Sequence, residues 1–517
     1  MQKDGTEKNT VKPRVVLVSL YGIENRGVRY ISAMLRRNGF EPHLILLKRW
    51  VNNQISGPTE KEENIFRDVI REINPAVVGF GFGAPYFKIA ARLSSLLRQD
   101  SKALILWGGI FPTVCPEDCI EHADVVCVGE GEYPVLDMCR ALEEGRDISS
   151  VPNLWVKKGG SIVKNEPREL MQDLDALPFP EYLQPGTCFI EDDKLRRIDP
   201  IGETAEYRIY PTRGCPYACA YCNNSVLRNI FKNKGRYYRF RSAKNVIDEL
   251  EIAMKILPRT RRIKFDGDVF AFPKDWIETF CQDYSARIGI PFEILSYPGE
   301  LDEKDLIALK KAGLCKIQAG IQSASEHEVK DTYGRDSTVK DIHELTRLAH
   351  KTGIEVVFDI IFDNPLATSA DKKAMVEMLL ELERPFLIYI YSLTVFPKTA
   401  VATELLSRGL ITPDDVEGRA TKSFRQFRLS LDYPRSREDI FWISLVILSS
   451  KSFVPKALVR RLMNSRRLME NPWPLKAAAQ AADIAKAAFL ALKMLFNGEL
   501  TMFKIRQYGS FKKVISQ

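Results

Sequence analysis

Long apolar runs are missing from this chain of 517 residues. A membrane-spanning helix needs about 20 consecutive apolar residues, and the longest candidate, Ile440–Leu448, is far shorter. The stretch Met1–Lys12 is polar and lacks the apolar centre of a secretory signal, so a cytoplasmic location is expected. Ten cysteines, mostly scattered, are too few for a disulfide scaffold. Disorder is excluded for most of the chain, because 45% of it is hydrophobic and 27% charged. At roughly 100–200 residues per domain, the length predicts three or four domains. An overall charge bias is also absent from the main body. The net charge is +8, but Lys451–Gln517 holds 13 basic and 3 acidic residues, leaving the rest slightly acidic. Such a tail fits an anionic or membrane-associated substrate, or a position peripheral to a membrane. A solvated helical surface is the plainer alternative, and no nucleic acid is expected.

From Arg14 to about Gly145, short apolar runs alternate with helical stretches. Val15–Leu20, His43–Leu47, Ala76–Phe82, Ala103–Trp107 and Val125–Val128 read as strands. Five strands in βαβ alternation predict a doubly wound, flavodoxin-like α/β domain over 14–145. Glycines cluster after the strands, at Gly79, Gly81, Gly108, Gly109, Gly129 and Gly131, where such sheets bind ligands and where glycine lets a backbone approach them. No GxGxxG opens a helix after the first strand, which disfavours a dinucleotide fold. A connector with a small hairpin is expected over 146–206, broken up by Pro178, Pro180 and Pro185.

A second βα series runs over 207–410. Its strands are expected at Tyr207–Tyr210, Ile263–Asp266, Phe292–Ser296, Cys315–Gly320, Val356–Ile361 and Ile388–Val395. Six strands with intervening helices predict a partial β/α barrel, with chemistry on the loops at the carboxyl ends of its strands. Residues 411–517 read as basic and mainly helical. In Lys476–Phe496 the charges of Lys476, Asp483, Lys486 and Lys493 argue for an amphipathic helix packed on protein, with a membrane surface as the alternative.

Immediately after the first barrel strand comes Pro211-Thr212-Arg213-Gly214-Cys215-Pro216-Tyr217-Ala218-Cys219-Ala220-Tyr221-Cys222. Three thiolates on one short loop, spaced CxxxCxxC, can bind a [4Fe–4S] cluster through three irons and leave the fourth open. A structural zinc site recruits four protein ligands. None of the five histidines lies in the loop, and no second CxxC pair is near. The remaining cysteines, Cys115, Cys119, Cys127, Cys139, Cys188, Cys281 and Cys315, are expected to be structural.

This loop resembles the signature of the radical S-adenosylmethionine (SAM) superfamily. The resemblance implies that SAM chelates the open iron through its amino and carboxylate groups, and that reductive cleavage releases a 5′-deoxyadenosyl radical. Tyr221 matches the residue whose backbone meets the adenine. Asp266, Gly267 and Asp268 stand where the family places a glycine-rich acidic segment near the methionine ammonium group, although the usual Gly-Gly-Glu is absent. Gln322 and Ser323, in Gly320-Ile321-Gln322-Ser323, resemble the segment facing ribose and carboxylate, and the guanidinium of Arg335 could fork onto a carboxylate. Asp359, Asp363 and Asn364 are further candidates near the pocket. A one-electron donor such as flavodoxin or ferredoxin is implied.

Ahead of such a barrel, the N-terminal domain resembles the cobalamin-binding domain of cobalamin-dependent radical SAM enzymes, the class B methyltransferases among them. Leu106-Trp107-Gly108-Gly109-Ile110-Phe111-Pro112-Thr113 and Val128-Gly129-Glu130-Gly131-Glu132 carry the likeness. The cobalamin contacts it implies are Gly79, Gly81, Gly108, Gly109, Phe111, Thr113, Gly129, Glu130 and Gly131. The Asp-x-His-x-x-Gly loop of other cobalamin proteins is absent, so cobalt without a histidine lower ligand is expected. The activity implied is methylation of an unactivated carbon or phosphorus centre. A cobalamin-dependent oxidative cyclase and a non-catalytic iron–sulfur protein are the alternatives.

Overall fold

Six buried residues in a row, Val15–Leu20 (β1), make a strand that must be covered on both faces. In the computed structural model, which describes residues 12–49, 57–362, 364–416 and 436–497, β1 is the centre of the first of two compact units. It pairs in parallel with β2 (Pro42–Leu47) on one side and β3 (Val77–Gly81) on the other, and β4 (Leu104–Gly108) and β5 (Val125–Cys127) continue the sheet. The order β5-β4-β3-β1-β2 is flavodoxin-like. Connections leave β1 in opposite directions, so a crevice opens at its carboxyl end, beside that of β3.

The helix Arg26–Arg37 begins directly after the β1 loop, with the Asn25 side chain accepting from Val28 N at its start. Its Val28, Met34 and Leu35 join Val15, Leu17, Val77 and Leu106 in one buried cluster, each such side chain stabilising the fold by about 1.5–3 kcal/mol. Gly81 permits the approach, since a Cβ there would stand 3.0 Å from Val28 Cγ1.

The stretch expected as a connector over 146–206 is largely sheet. β6 (Leu154–Lys158) and β7 (Ser161–Lys164) add antiparallel to β5, while β8 (Thr187–Glu191) adds parallel to β2 and carries β9 (Lys194–Arg196). Nine strands result, and the unit runs to Gly202, with Phe231–Gly235 also part of it. The physical reason is that β5 and β2 would otherwise be open edges with unpaired backbone groups. The segment leading to the second unit is held by a buried ion pair: Arg29 donates to both oxygens of Asp199 at 2.8 and 2.9 Å, and neither side chain is exposed.

In the second unit, β10 (Glu206–Ile209) starts a parallel sheet. A two-stranded antiparallel clamp, β11 (Thr212–Arg213) with β12 (Arg239–Phe240), follows it. β13 (Arg262–Phe265), β14 (Phe292–Ser296), β15 (Leu314–Gln322), β16 (Glu355–Phe362) and β17 (Leu387–Ser392) complete the sheet in sequence order. β10 and β17 are not paired, so the barrel is partial, as the six predicted strands imply. Crossover helices start on side-chain caps, Ser242 before Ala243–Ile256 and Thr338 before Val339–Thr352. After the barrel, the helix Arg437–Ser449 is buried from Ile440 through Ser449, which explains the apolar run in the sequence. Lys456–Met463, Arg466–Glu470 and Trp473–Phe496 follow. No helix among the described residues is long and apolar enough to cross a membrane.

Candidate functional site

Cys215, Cys219 and Cys222 follow β10 and β11, on a loop braced from several sides. Gly214 enters it at φ +74°, a conformation that L side chains rarely adopt, with the Tyr237 carbonyl where a Cβ would be. Arg228, on the helix Asn223–Ile230, donates to the carbonyls of Cys215, Pro216 and Tyr217 at 2.5, 3.0 and 3.4 Å. Ala220 N donates to Tyr333 O, and Val401 N to Ala220 O. Tyr217 stacks on Tyr297 with centroids 3.9 Å apart, and Tyr297 also carries the Arg335 guanidinium 4.1 Å above its ring. Such stacking and cation–π contacts stiffen the loop.

The donor set of the loop fits a cubane: three thiols within eight residues can each take a separate iron and leave the fourth open. Burial pushes the Cys215 thiol up to about 12 and that of Cys222 to about 11. The loop therefore presents thiols at these positions, and metal binding must displace their protons.

Several residues expected around SAM come together. Arg335 Nη1 donates to Cys219 Sγ at 3.4 Å and to Tyr221 Oη at 3.3 Å, and Nη2 donates to Gly320 O at 2.7 Å. Arg335 Nε is buried without a hydrogen-bond partner, leaving a donor for a carboxylate. Gln322 ends β15 at φ +62°. Its amide lies beside Gly320, so that a Cβ there would make the amide shift. Asp268 is hydrogen-bonded to Asn224 and lies within electrostatic reach of Cys215 and Cys222; burial holds its carboxyl above the usual range.

Others lie elsewhere. Asp266 accepts from Arg208 at 2.9 Å and Tyr210 at 3.0 Å, with Lys264 at 3.5 Å. Burial alone would raise its pKa, but these partners outweigh it and hold the carboxylate charged. Gly267 packs on Thr212, whose Oγ1 would stand 2.6 Å from a Cβ. Ser323 is buried and donates to Glu328 at 2.6 Å, and Glu328 in turn accepts from Asn364 at 2.8 Å. Ser323 thus braces the end of β15. Asp359 accepts both bonds of the Gln318 amide, at 3.0 and 2.8 Å, and burial raises its pKa to about 7. Asp363 lies outside the described residues.

A polar barrel interior escaped sequence reasoning. Arg208, Lys264 and Asp266 link β10 and the end of β13. Arg262 and Lys316 pair with Glu293 at 3.1 and 2.6 Å, and Gln318 reaches Asp359 on β16. The alternation Arg262-Lys264-Asp266 against Ile263-Phe265 is the period-2 signal that could have revealed it.

In the first unit the glycines divide into three kinds. Gly79 and Gly131 are closed off by Leu17 at 3.2 Å and Ile31 at 2.8 Å, as Gly81 is by Val28, so close packing requires them. Gly109 and Gly129 have φ of +104° and +101°, and a Cβ on Gly109 would stand 2.6 Å from Phe82 O. Gly108 has room for a Cβ, which would meet Cys127 Cβ at an ordinary 3.7 Å. Thr113 is buried and ties two loops together, donating to Gly109 O at 2.8 Å and accepting from Gly129 N at 2.9 Å. Phe111 packs on Phe87. Glu130 is partly exposed beside Gly129, and Ile110 is 52% exposed two residues after Gly108. At the crevice, Tyr21 and Tyr86 stack with centroids 5.4 Å apart. A glycine-lined, partly apolar rim of this kind fits a large flat ligand. Of the unit's histidines, His43 lies at the amino end of β2, and His122, just before β5, stacks on Trp107 and packs against Phe87.

A corrin-type crevice in one unit and a three-cysteine barrel loop in the other define a two-cofactor radical enzyme class. The family model described as the B12 binding domain matches residues 13–138, and that of the Radical SAM superfamily matches 209–378. The chain is a B12-binding radical SAM enzyme, and its cofactors are a [4Fe–4S] cluster, SAM and cobalamin. It is 25% identical over 394 residues to the uncharacterized methyltransferase PH0819 of Pyrococcus horikoshii, covering 74% of this chain and 79% of that one. It is 24% identical over 358 residues to the anaerobic magnesium-protoporphyrin IX monomethyl ester cyclase of Rubrivivax gelatinosus, covering 67% and 60%. In fold it is similar to the radical SAM methyltransferase TsrM of Kitasatospora setae with cobalamin and cluster bound (TM-score 0.61, 18% identity, 77% and 78% covered). It is similar also to the cobalamin-dependent radical enzyme OxsB with aqua-cobalamin and SAM bound (TM-score 0.64, 17% identity, 98% and 84% covered).

Proposed function

We propose that this enzyme methylates an unactivated carbon or phosphorus centre. The observation that carries the reading is the coexistence of the two cofactor modules with methyltransferase names among the relatives, PH0819 and the bacteriochlorophyllide d C-8(2)-methyltransferase of Chlorobaculum tepidum, 22% identical over 394 residues. When bound, the cluster and SAM supply a radical for hydrogen abstraction and the corrin supplies the methyl group.

Cys215, Cys219 and Cys222 hold three irons. Asp268 is the carboxylate for the methionine ammonium group, because Asp266 is already committed to Arg208, Tyr210 and Lys264. Arg335 takes the methionine carboxylate through its unpartnered Nε, and Tyr221 and Gln322 flank the nucleoside. Gly108, Phe111 and Glu130 line the corrin. Cobalamin would be held here without a histidine lower ligand, a reading supported by the lack of an Asp-x-His-x-x-Gly loop in the sequence. A reduced flavodoxin or ferredoxin serves as electron source.

The test is anaerobic reconstitution with iron, sulfide and cobalamin, followed by SAM, reductant and candidate substrates. Methyl transfer yields S-adenosylhomocysteine together with 5′-deoxyadenosine and a product heavier by one CH₂. The cyclase reading is favoured by the Rubrivivax gelatinosus relative and by a second cyclase relative from Synechocystis. It requires 5′-deoxyadenosine alone, with no S-adenosylhomocysteine and no CH₂ gain, and that result would displace methylation.

A further inference from the structure

Among the described side chains of the helix Trp473–Phe496, the buried ones lie on one face of its first half. Leu475, Ala479 and Ala482 are buried, and Asp483 pairs with Lys451. At 3.6 residues per turn, Trp473, Ile484, Leu492 and Leu495 fall on one arc roughly 100° wide on the other side of the helix, with only alanines between them. That arc contains no charged residue along the 24-residue helix. It faces water: Trp473 is 53% exposed, Ile484 70%, Leu492 55% and Leu495 57%. Phe489 and Phe496 beside it are 67% and 85% exposed. An apolar face of this length on the outside of a helix marks an interaction surface.

We propose that this face seats in the interfacial layer of an anionic lipid bilayer. Charge decides among occupants. Lys451–Gln517 carries 13 basic against 3 acidic residues, so a second copy joined through the same face would bring two cationic segments together, which opposes association. An anionic bilayer offers both an apolar layer and a negative surface, and each basic residue near it strengthens binding about five-fold. Trp473 is of the kind that settles at headgroup level, and Phe489 and Phe496 are of the kind that enter the apolar layer beneath it. A helix with one face held by protein lies in the plane of the interface rather than crossing it. This inference rests on the helix alone and not on the methyl-transfer reading.

The experiment is flotation of the full-length protein with vesicles of phosphatidylcholine alone, or of phosphatidylcholine mixed with phosphatidylglycerol, at low and high salt. The protein should float with the anionic vesicles, less so at high salt, and remain at the bottom with the neutral ones. The triple variant Ile484→Gln/Leu492→Gln/Leu495→Gln should bind at least about tenfold more weakly, with unchanged circular dichroism and SAM cleavage. Phe496→Gln, at the most exposed position, repeats the test with the least structural change. Absence of flotation with anionic vesicles, equal flotation with neutral ones, or undiminished binding by the triple variant overturns the proposal. A wild-type dimer that the triple variant dissolves would assign the face to a second copy instead.

Discussion

Removing the carboxylate of Asp199 should unfold the first unit far more readily than any surface change. Its two oxygens accept from Arg29 at 2.8 and 2.9 Å, and also from Leu183 N and Ile201 N at 3.1 Å each. Arg29 donates besides to Glu181 O and Ile23 O, and it lies 4.7 Å from the Tyr182 ring centroid. Both side chains are fully buried. Asp199→Ala therefore strands a guanidinium and two backbone N–H groups away from water. Breaking one partner of a buried pair costs about 3–5 kcal/mol. Replacing both partners by apolar groups of similar volume costs far less, because no charge is left behind. The assay is urea unfolding followed by hydrogen exchange of peptides from Arg26–Arg37, for Asp199→Ala, Arg29→Met and the double variant Arg29→Met/Asp199→Leu. Both single variants should lose several kcal/mol in that unit, and the double variant should regain the part due to the stranded charge, while Leu183 N and Ile201 N stay unpaired. A loss below about 1 kcal/mol for Asp199→Ala, the size of an exposed pair, would refute the reasoning, as would a double variant no better than the singles. Since Arg29 follows the β1 loop at the corrin crevice, cobalamin retention should fall in parallel with stability.

Cys219→Ala should abolish 5′-deoxyadenosine formation by the reconstituted protein; full activity would place the cluster elsewhere. Gly109→Ala meets Phe82 O at 2.6 Å in a backbone conformation of φ +104°. It should destabilise the first unit by roughly 1–3 kcal/mol and lower the corrin content measured optically. Asp359 has a folded pKa raised from 3.8 to about 7, mainly by burial. The unfolded chain loses that proton first, so the residue's contribution to stability declines as pH rises between these two values. Asp359→Asn should remove the decline, flattening the stability–pH curve in that window by up to 1.4 kcal/mol per pH unit; urea midpoints unchanged from wild type between pH 5 and 7 would count against it.

The cluster loop was legible because its chemistry is local: three cysteines within eight residues need no tertiary partner to declare themselves. The strands of both units were legible for a similar reason, since runs such as Val15–Leu20 and Val356–Ile361 can only be buried strands. Most of their boundaries fall within one or two residues of the observed ones. The hairpin β6–β7 was legible, but its attachment to β5 was not, nor were β8 and β9. These short strands join the sheet because β5 and β2 offer edges that only the assembled sheet creates.

By itself, the sequence determined the strands of both units and the three-cysteine loop, because periodicity and cysteine spacing are carried by neighbouring residues; its resemblance to known families pointed to the two cofactor modules. Tertiary structure decided which of two equivalent-looking groups is available. Asp266 and Asp268 are two residues apart, yet only the first is held by Arg208 and Lys264. Gly79 and Gly108 both end up in strands, yet a Cβ would press on Leu17 at 3.2 Å in the first and meet Cys127 at an ordinary 3.7 Å in the second. The outer arc of Trp473–Phe496 is apolar in any helix, but its exposure became evident only once Leu475, Ala479 and Ala482 were seen to hold the other side. Availability depends on which partners arrive from distant parts of the chain, and no local pattern records their arrival.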